Sequence, residues 1–491
     1  MSPRNRWLVL FTVSSALFLI VIDMTVLYTA LPRLTHDLAA TATQKLWIVN
    51  AYPLVVAGLL PGFGTLGDRH GHKRMFLAGL AVFGAASAVA AFAPAPGVLI
   101  AARVLLAAGA AMMMPATLSL IRLTFLDEKE RAFAIGVWAA VASGGAALGP
   151  VLGGVLLERF WWGSVFLINL PVVGLALALG SVLLVNRPGD RSRPWDFAGS
   201  VQVLVGLVGL IYAIKETAKA RPEWDHAVLA SVLGIAALTL FVRRQRASAH
   251  PLIDFRLFRN PRFSAGVATA LVASSALIGV ELVFSQRLQL VLGHSPLEAG
   301  LLILPIPLAA FLAGPLTGIM LPRLGAVRVL WSALLLSGLG LAGYLATLSG
   351  PAGLWLAMLA VLGFGAGAAM TAASGAIMLS APEDRAGMAA SVEEVSYELG
   401  GALGIAVLGS LMSALYTRAM ALPPGIAPQA GDSLDEALIQ AARLDPQRAE
   451  ELARIARAAF EQAFLGVVAV ATVLLIGTGL LIRHRQPRQA V

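Results

Sequence analysis

An aspartate interrupts an apolar run near the start of the chain, and an arginine interrupts another. Asp23 lies in "FLIVIDMTVLYTALP", and Arg103 lies in "LIAARVLLAAGAA". A carboxylate at the centre of a membrane helix costs roughly 2.5–3.5 kcal/mol on insertion scales, so such residues usually serve transport or proton transfer. Both lie at comparable depth, which predicts that they pair. The pair is either a static structural contact or a working one, in which Asp23 exchanges protons and Arg103 biases its proton affinity.

Four further acids lie in apolar runs. Glu281, in "ALIGVELVFSQ", has no basic neighbour at helical spacing, which predicts a reversible proton site or an attractor for a lipophilic cation. The alternative is a lipid-facing or interfacial glutamate. In "VEEVSYELG", Glu394 and Glu398 lie one helical turn apart and are predicted to share a proton. We predict that this pair recognises the cation and couples its movement to protons. For Glu393 two roles remain open, one at the cytoplasmic gate and one purely structural.

These acids suggest how a proton and an organic cation could be exchanged. In a low-dielectric cavity each of them neutralises a carboxylate, so competition between them would couple movement of the cation to opposite movement of the proton. Aromatic rings near the cavity would add cation–π contacts. The candidates are Tyr28, Tyr52 and Tyr397, together with Trp47, for which anchoring at the membrane interface is the alternative.

The composition places these residues in a polytopic membrane protein. The 491 residues are 58% hydrophobic and 13% charged, with a mean hydropathy of +0.81. The net charge of +9 comes from basic residues between the apolar runs, which does not suggest nucleic-acid binding. There are no cysteines, and all the histidines fall in predicted loops or a tail, so neither a metal site nor a cofactor is expected. Without a P-loop, an ATP-driven pump is not indicated.

About fourteen apolar segments are long enough to cross a bilayer. The first begins close to the N-terminus and is too long for a signal-peptide core. An even number of spans places both termini on one side, and the Lys and Arg residues concentrate in the loops of that side, which predicts cytoplasmic termini. The one sizeable extramembrane segment, 417–461, is predicted as a helical hairpin broken at Pro446. It would serve as a cap or as a substrate gate.

Two loops repeat at a constant offset and indicate an internal duplication. "GTLGDRHGHKR" begins at Gly64 and "GIMLPRLGAVR" at Gly318. The same offset overlays Arg131 of "DEKERAFAIG" on Arg385 of "PEDRAGMAAS". Parallel repeats of this kind are typical of secondary transporters. The second copy has Pro322 where the first loop has Asp68. A charge contact that holds the two halves together at these loops would therefore be asymmetric.

The duplication predicts the domain boundaries. Residues 1–190 form an N-terminal half of six helices, and residues 251–491 form a C-terminal half of six helices that carries the segment 417–461. Residues 191–250 hold two inserted membrane helices that have no partner in the repeat. The predicted fold class is therefore all-α integral membrane, with two pseudo-symmetric six-helix halves plus two inserted helices.

The first repeated loop closely resembles the loop signature of the major facilitator superfamily, and the run around Arg103 resembles its fourth-helix motif. The matching loop residues, with the basic residue after the fourth helix, are Gly64, Asp68, Arg69, Gly71, Arg74 and Arg131. In the family this charge cluster locks the halves at the cytoplasmic face. Asp68 would pair with Arg131 or lie at a helix N-terminus.

A glycine-rich run, "GGAALGPVLGG", resembles the fifth-helix motif that marks antiporters. Its residues of interest are Gly145, Gly149, Pro150, Gly153 and Gly154. Spacing alone equally indicates generic close helix packing, so antiport is implied by the resemblance. "IDMTVLYTALP", "FLINLP" and "VEEVSYELG" resemble motifs of the fourteen-helix drug:proton antiporter family within this superfamily.

Within that family the chain is most similar to exporters of quaternary ammonium compounds, biguanides, dyes and methyl viologen. The resemblance implies a proton-coupled multidrug antiporter in the bacterial cytoplasmic membrane, a monomer whose partners are cationic amphiphiles, protons and membrane lipid. Asn50 departs from the pattern, since relatives often carry aspartate there, and this favours monovalent or less charged substrates. The main alternative is an exporter of an endogenous antibiotic or metabolite. An enzyme is disfavoured because the apolar runs hold no histidine cluster for a metal site, and a receptor or a channel is disfavoured by the duplicated halves and the antiporter motif.

Overall fold

The computed structural model describes residues 3–185, 196–217, 222–248, 251–380 and 386–485. Every element of regular structure in these ranges is a helix. Some side chains within these helices lie outside the described set, including those of Asp68, Arg131 and Pro322, and so does the whole of Arg385. The predicted lock between Asp68 and Arg131 therefore lies outside the described residues.

Seven helices form what we call the N-terminal bundle, residues 3–185. They are α1 (Pro3–Asp37), α2 (Ala42–His70), α3 (His72–Ala91), α4 (Pro96–Thr124), α5 (Glu128–Arg159), α6 (Ser164–Leu167) and α7 (Asn169–Leu183). A capping box starts α2, in which the Thr41 side chain accepts from the Gln44 amide and the Gln44 side chain accepts from the Thr41 amide. A large buried hydrophobic cluster runs through the bundle.

Two helices follow as a separate pair, α8 (Phe197–Thr217) and α9 (Trp224–Ala247). The two helices pack closely at Gly209. A Cβ built on this residue would lie only 2.8 Å from the Ala230 carbonyl oxygen. The outer side of α9 exposes a row of apolar side chains, including Leu229 and Val232. Exposed apolar side chains of this kind are suited to contact with lipid acyl chains.

The C-terminal bundle, residues 251–485, contains the remaining helices. They are α10 (Pro261–Gln286), α11 (Pro296–Ile303), α12 (Pro305–Leu324), α13 (Ala326–Thr347), α14 (Ala352–Ser380), α15 (Ala386–Ala419), α16 (Leu434–Ala441) and α17 (Pro446–His484). A π-helical turn, Arg287–Val291, continues α10. This bundle has a buried hydrophobic cluster of its own.

The repeated loops adopt the same turn in both bundles. Gly71 joins α2 to α3 with φ +95°, and Gly325 joins α12 to α13 with φ +81°. Both values lie where residues with a Cβ are strained, and glycine is not. The constant offset between the two repeated loops pairs Gly71 with Gly325, and the backbone shows the same turn at both.

Twelve helical stretches of the described chain are long and apolar enough to cross a membrane. Large apolar side chains on their outer surfaces are exposed, such as Val182 at 82% and Val473 at 70%. In an aqueous protein such a surface would be unusual. The chain is therefore a multi-pass, all-helical membrane protein.

The two ends of the helical bundles can be told apart by what lies there. We call the end that holds residues 3 and 485 the terminal face, and the end that holds residues 420–445 the loop face. The Tyr416 hydroxyl donates to the Ala430 carbonyl (3.2 Å) and the Thr417 hydroxyl to that of Gly431 (2.9 Å), so the loop segment folds back on the end of α15.

The segment 417–461, predicted as a helical hairpin, differs from that prediction in its second helix. Helix α16 ends at Ala441, and α17 begins at Pro446, capped by the Asp445 side chain. From there α17 runs without a break into the last membrane span, so residue 461 is not a boundary. The reason is composition: the stretch after Pro446 is rich in Ala, Glu and Arg, and it has no glycine before Gly466.

The two bundles contact each other directly near the loop face. The Ser285 hydroxyl donates to the Tyr28 carbonyl (3.0 Å), and Gln289 Nε2 donates to the Thr29 carbonyl (3.2 Å). Lys45 of α2 forms a buried ion pair with Asp435 of α16. The loop face is therefore closed, with α16 attached across the junction.

Candidate substrate and proton site

Asp23 and Arg103 lie together in the middle of the N-terminal bundle, as their depth predicted. Arg103 Nη1 donates to Asp23 Oδ2, and Arg103 Nε donates to the Ile48 carbonyl (3.2 Å). Both side chains are buried, at 2% exposure or less. The guanidinium carbon lies 4.5 Å from the centre of the Tyr52 ring. The pair thus joins α1, α2 and α4, and Tyr52 supports the arginine instead of facing an open cavity.

Two further polar residues belong to this pair and were missed from the sequence. Asn169 Nδ2 donates to Asp23 Oδ1 (3.3 Å) and to the Ser87 hydroxyl (3.1 Å). Asn169 starts α7, and Ser87 lies on α3, so the network reaches five helices. The available signal was an asparagine within the apolar motif "FLINLP", where a buried amide needs partners.

A second group of polar residues forms between the bundles, around Tyr28 of α1. This ring lies within electrostatic range of Glu281 on α10 and Glu398 on α15, and also of Arg103. Glu398 is in turn within range of Tyr52. The structure therefore brings acids from the C-terminal bundle towards the Asp23–Arg103 pair, which the sequence could not place relative to one another.

The carboxylate of Glu398 is buried, and its Oε2 atom has no hydrogen-bond partner among the described residues. A buried carboxylate oxygen without a donor is costly unless a proton or a cation neutralises the group. Glu281 is half-buried. No described basic residue forms an ion pair with Glu281 or Glu398. Among the described residues, neither carboxylate is therefore neutralised by a base.

The three acids of α15 form a series directed towards the terminal face. Glu394 interacts electrostatically with Glu398 on one side and with Glu393 on the other. Tyr397 lies near Glu393 and Glu394, and its hydroxyl donates to the Met370 carbonyl of α14 (3.0 Å). Neighbouring carboxylates at this spacing titrate as a coupled set, not singly.

Asn50 lies at a contact between the bundles, beside α8 and α15. Its side chain is fully buried. With the amide oriented so that both polar atoms are satisfied, Nδ2 donates to the Ala402 carbonyl of α15 (3.0 Å) and Oδ1 accepts from Lys215 Nζ of α8 (3.3 Å). Sequence reasoning did not identify Lys215, although a lysine at the end of an apolar run was a visible signal.

The glycines of the fifth-helix motif divide between two neighbours of α5. Gly145, Gly149 and Gly153 face α1, where Val21, Thr25 and Val26 pass close by. Gly154 faces the other bundle, and a Cβ there would lie 2.8 Å from the Leu297 backbone nitrogen of α11.

Pro150 takes part in the same contact between the bundles. A Cβ at Gly300 would lie 2.8 Å from the carbonyl carbon of Pro150. The α5 motif thus serves both helix packing inside one bundle and closure of the loop face.

The loop motif at the terminal face is built around the Gly71 turn. Lys73 Nζ donates to the carbonyls of Ser181 and Leu184, both at 2.7 Å, and so holds α3 against the end of α7. Gly64 faces α4: a Cβ built on Gly64 would lie 3.9 Å from the Pro115 Cβ, an ordinary van der Waals contact. Arg69 is half-buried.

Arg74 of the same motif is exposed.

Across the described residues, no group of three His, Asp or Glu side chains is arranged to hold a metal ion.

Comparison with known proteins decides the family. The profile of the Major Facilitator Superfamily matches residues 13–405. The chain belongs to the major facilitator superfamily. It is a family of membrane transporters, and the resemblance drawn from the motifs is confirmed.

Relatives within this superfamily match over nearly the whole chain. The methyl viologen resistance protein SmvA of Salmonella typhimurium is 41% identical over 462 residues, which is 93% of each chain. The multidrug efflux pump LfrA of Mycolicibacterium smegmatis is 37% identical and covers 98% of this chain and 96% of its own. The tetracenomycin C resistance and export protein of Streptomyces glaucescens is 32% identical, over 84% of this chain and 77% of its own.

Solved structures show the same fold. A bacterial homolog of the human lysosomal transporter Spinster, described as inward-facing and unoccupied, superposes with a TM-score of 0.68 over all of both chains. The two sequences are 17% identical. At this identity the likeness shows the major facilitator fold alone.

Proposed function

We propose that the protein is a proton-coupled exporter of lipophilic cations, such as quaternary ammonium compounds, dyes, biguanides and viologens. The observation that supports this most is Glu398, a buried carboxylate with no base among the residues that the structure describes, which lies within electrostatic range of tyrosines from the opposite bundle. A site of this kind attracts a cation or a proton, one at a time. The drug-efflux relatives support the same substrate class.

Fourteen membrane spans are the topology that fits this proposal. Helices α2 and α5, of 29 and 32 residues, are long enough to be spans and would add to the twelve stretches already described. Both termini would then lie in the cytoplasm, at the terminal face, and the loop face would be periplasmic. The described conformation, closed at the loop face, would correspond to the state that receives drug from the cytoplasm.

The proposed cycle uses the acids of the two bundles differently. A drug cation that enters from the terminal face meets the α15 series and displaces a proton from Glu394 or Glu398. Rearrangement of the bundles opens the loop face and releases the drug, and a proton from that side then neutralises the carboxylate. Drug and proton compete for the one charge of this carboxylate. The protein would therefore change between its two conformations with the site occupied, and not easily with the site empty and ionised.

The segment that carries α16 fits either of two roles in this cycle. As a cap it would only cover the junction. As a gate it would have to leave that position, which requires the Lys45–Asp435 ion pair to break. Loss of a buried partner leaves an uncompensated charge, so this pair favours the closed loop face.

A second candidate is export of an endogenous antibiotic or metabolite. The specific observation in its favour is the similarity to the tetracenomycin C resistance and export protein. A neutral or anionic product would leave Glu281 and Glu398, which have no base among the described residues, without a role. We therefore favour the cation exporter.

The test is transport by purified protein in liposomes under an imposed pH gradient. Ethidium movement and lumenal pH are followed together in the parent protein and in Glu398→Gln. Glu298→Gln serves as the matched control, because Glu298 is exposed near the loop face and lies outside the acid cluster. We expect gradient-driven ethidium movement with a proton flux, both lost only in Glu398→Gln. A folded protein that moves no cation would support the metabolite exporter instead.

A further inference from the structure

The inserted helix α8 reaches the contact between the two bundles. A hydrophobic cluster there takes its buried members from three places: Leu54 and Ala57 of α2, Leu207 and Ile211 of α8, and Ala402 and Ala406 of α15. A Cβ at Gly58 of α2 would lie 3.0 Å from that of Leu204, so α8 packs tightly on this helix. Helix α8 is thus packed against both bundles where they meet and is not surrounded by lipid alone.

Lys215 gives this contact a charge. Its ammonium lies 4.1 Å from the centre of the Trp47 ring, and its side chain is 4% exposed. Among the described residues, Lys215 forms no ion pair with a carboxylate. Its polar acceptor is the amide oxygen of Asn50 at 3.3 Å.

The arrangement makes Lys215 an orienting group for Asn50. An amide has one acceptor side and one donor side, and an ammonium can only donate. Lys215 therefore fixes the Asn50 oxygen on its own side and turns the Asn50 nitrogen towards the Ala402 carbonyl of the opposite bundle, 3.0 Å away. Without the ammonium, the amide could rotate and leave the carbonyl across the junction without its donor.

We propose that Lys215 is a positioning residue of the transport cycle. Acting through Asn50, it links α8 to both bundles and stabilises the conformation that is closed at the loop face. The inserted helices thereby take part in alternating access. This inference depends on the two-bundle architecture and not on the identity of the substrate, so it stands or falls separately from cation export.

The test measures the loop-face distance by double electron–electron resonance in lipid nanodiscs. Since the chain has no cysteines, spin labels attach only at the introduced pair Ala95→Cys and Ala352→Cys, both exposed at the loop-face ends of opposite bundles. Lys215→Met should raise the ratio of long to short distances by about tenfold, as expected for loss of a hydrogen bond to a charged group. Lys215→Arg, which keeps the charge, should restore the parent ratio at least in part.

Two further variants separate positioning from a merely structural role. Arg244→Gln breaks the Arg244–Asp196 ion pair of the same inserted pair, away from the junction, and should leave the ratio unchanged. Asn50→Leu should reproduce the shift of Lys215→Met, and the double variant should add nothing, because both residues act through one link. Unchanged distances in a folded Lys215→Met protein, or additive effects in the double variant, would overturn the proposal.

Discussion

The buried charges of the two bundles differ in whether they are neutralised. In the N-terminal bundle, Asp23 has a base, Arg103, and an amide, Asn169, and every contact lies within that bundle. In the C-terminal bundle, Glu281 and Glu398 have no described base and lie next to the opposite bundle. A neutralised pair gains little from a proton, whereas an unpaired carboxylate must take up a cation or a proton. We therefore propose that the first site is rigid and that the second exchanges protons and cations.

The largest effect is expected from the unpaired acid. Glu398→Gln should lower gradient-driven ethidium transport by about tenfold or more, since a single close charge contact is worth more than the 1.4 kcal/mol that corresponds to tenfold. The measurement is initial uptake rate in liposomes at matched protein content. Parent-like coupled transport in Glu398→Gln would move the exchange site elsewhere, to Glu281 or Glu394.

Breaking the Asp23–Arg103 pair should destabilise the protein, and a second substitution should restore much of the stability. Arg103→Met alone should lower the free energy of unfolding by about 3–5 kcal/mol, because it leaves Asp23 charged and buried. Adding Asp23→Asn should recover much of that loss. Thermal unfolding of the detergent-solubilised protein measures both.

The same double variant decides between the two interpretations of the pair. If the pair is only structural, the double variant should transport ethidium with proton coupling like the parent. If Asp23 exchanges protons, the double variant should be folded and uncoupled. The rigidity assigned to the N-terminal bundle would then be wrong.

Neighbouring glycines of α5 test the closure of the junction itself. Gly154→Ala should hinder closure at the loop face, because its Cβ would meet the backbone of Leu297, which cannot move aside easily. Gly153→Ala is the matched control, since its Cβ would lie at an ordinary 3.4 Å from Thr29. We expect several-fold slower transport in the first variant and a parent-like rate in the second. Equal rates would show that the bundles do not close at this contact.

The smallest effect concerns substrate charge. Asn50→Asp would place a carboxylate beside Lys215 and form a buried ion pair, so it should not create a free acid for a second positive charge. We expect the ratio of methyl viologen to ethidium transport to change by less than about threefold, as a paired carboxylate offers little to a dication. A large gain for methyl viologen would place Asn50 in the substrate path.

Several features of the fold were predictable from the sequence because they depend on local physics. Apolar runs of bilayer length, the repeated Gly71 and Gly325 turns, and the small residues of α5 each show themselves in a short stretch of chain. The Asp23–Arg103 contact was also predictable, since two opposite charges at equal depth in lipid have few other partners. The break at Pro446 was correct, and the continuation of α17 past residue 461 was not foreseen.

What the sequence alone determined is therefore the class of protein, its family and several of the intramembrane charges, among them Asp23, Arg103 and the acids of α15, whereas Lys215 was missed. The tertiary structure decided which charges meet. Asn169 supports Asp23, and Glu398 Oε2 has no donor in the described part of the chain. Lys215 reaches Asn50 only because three helices distant in the chain converge. The physical reason is that span length and polarity are local properties. Neutralisation of a buried charge depends on neighbours that helix packing supplies.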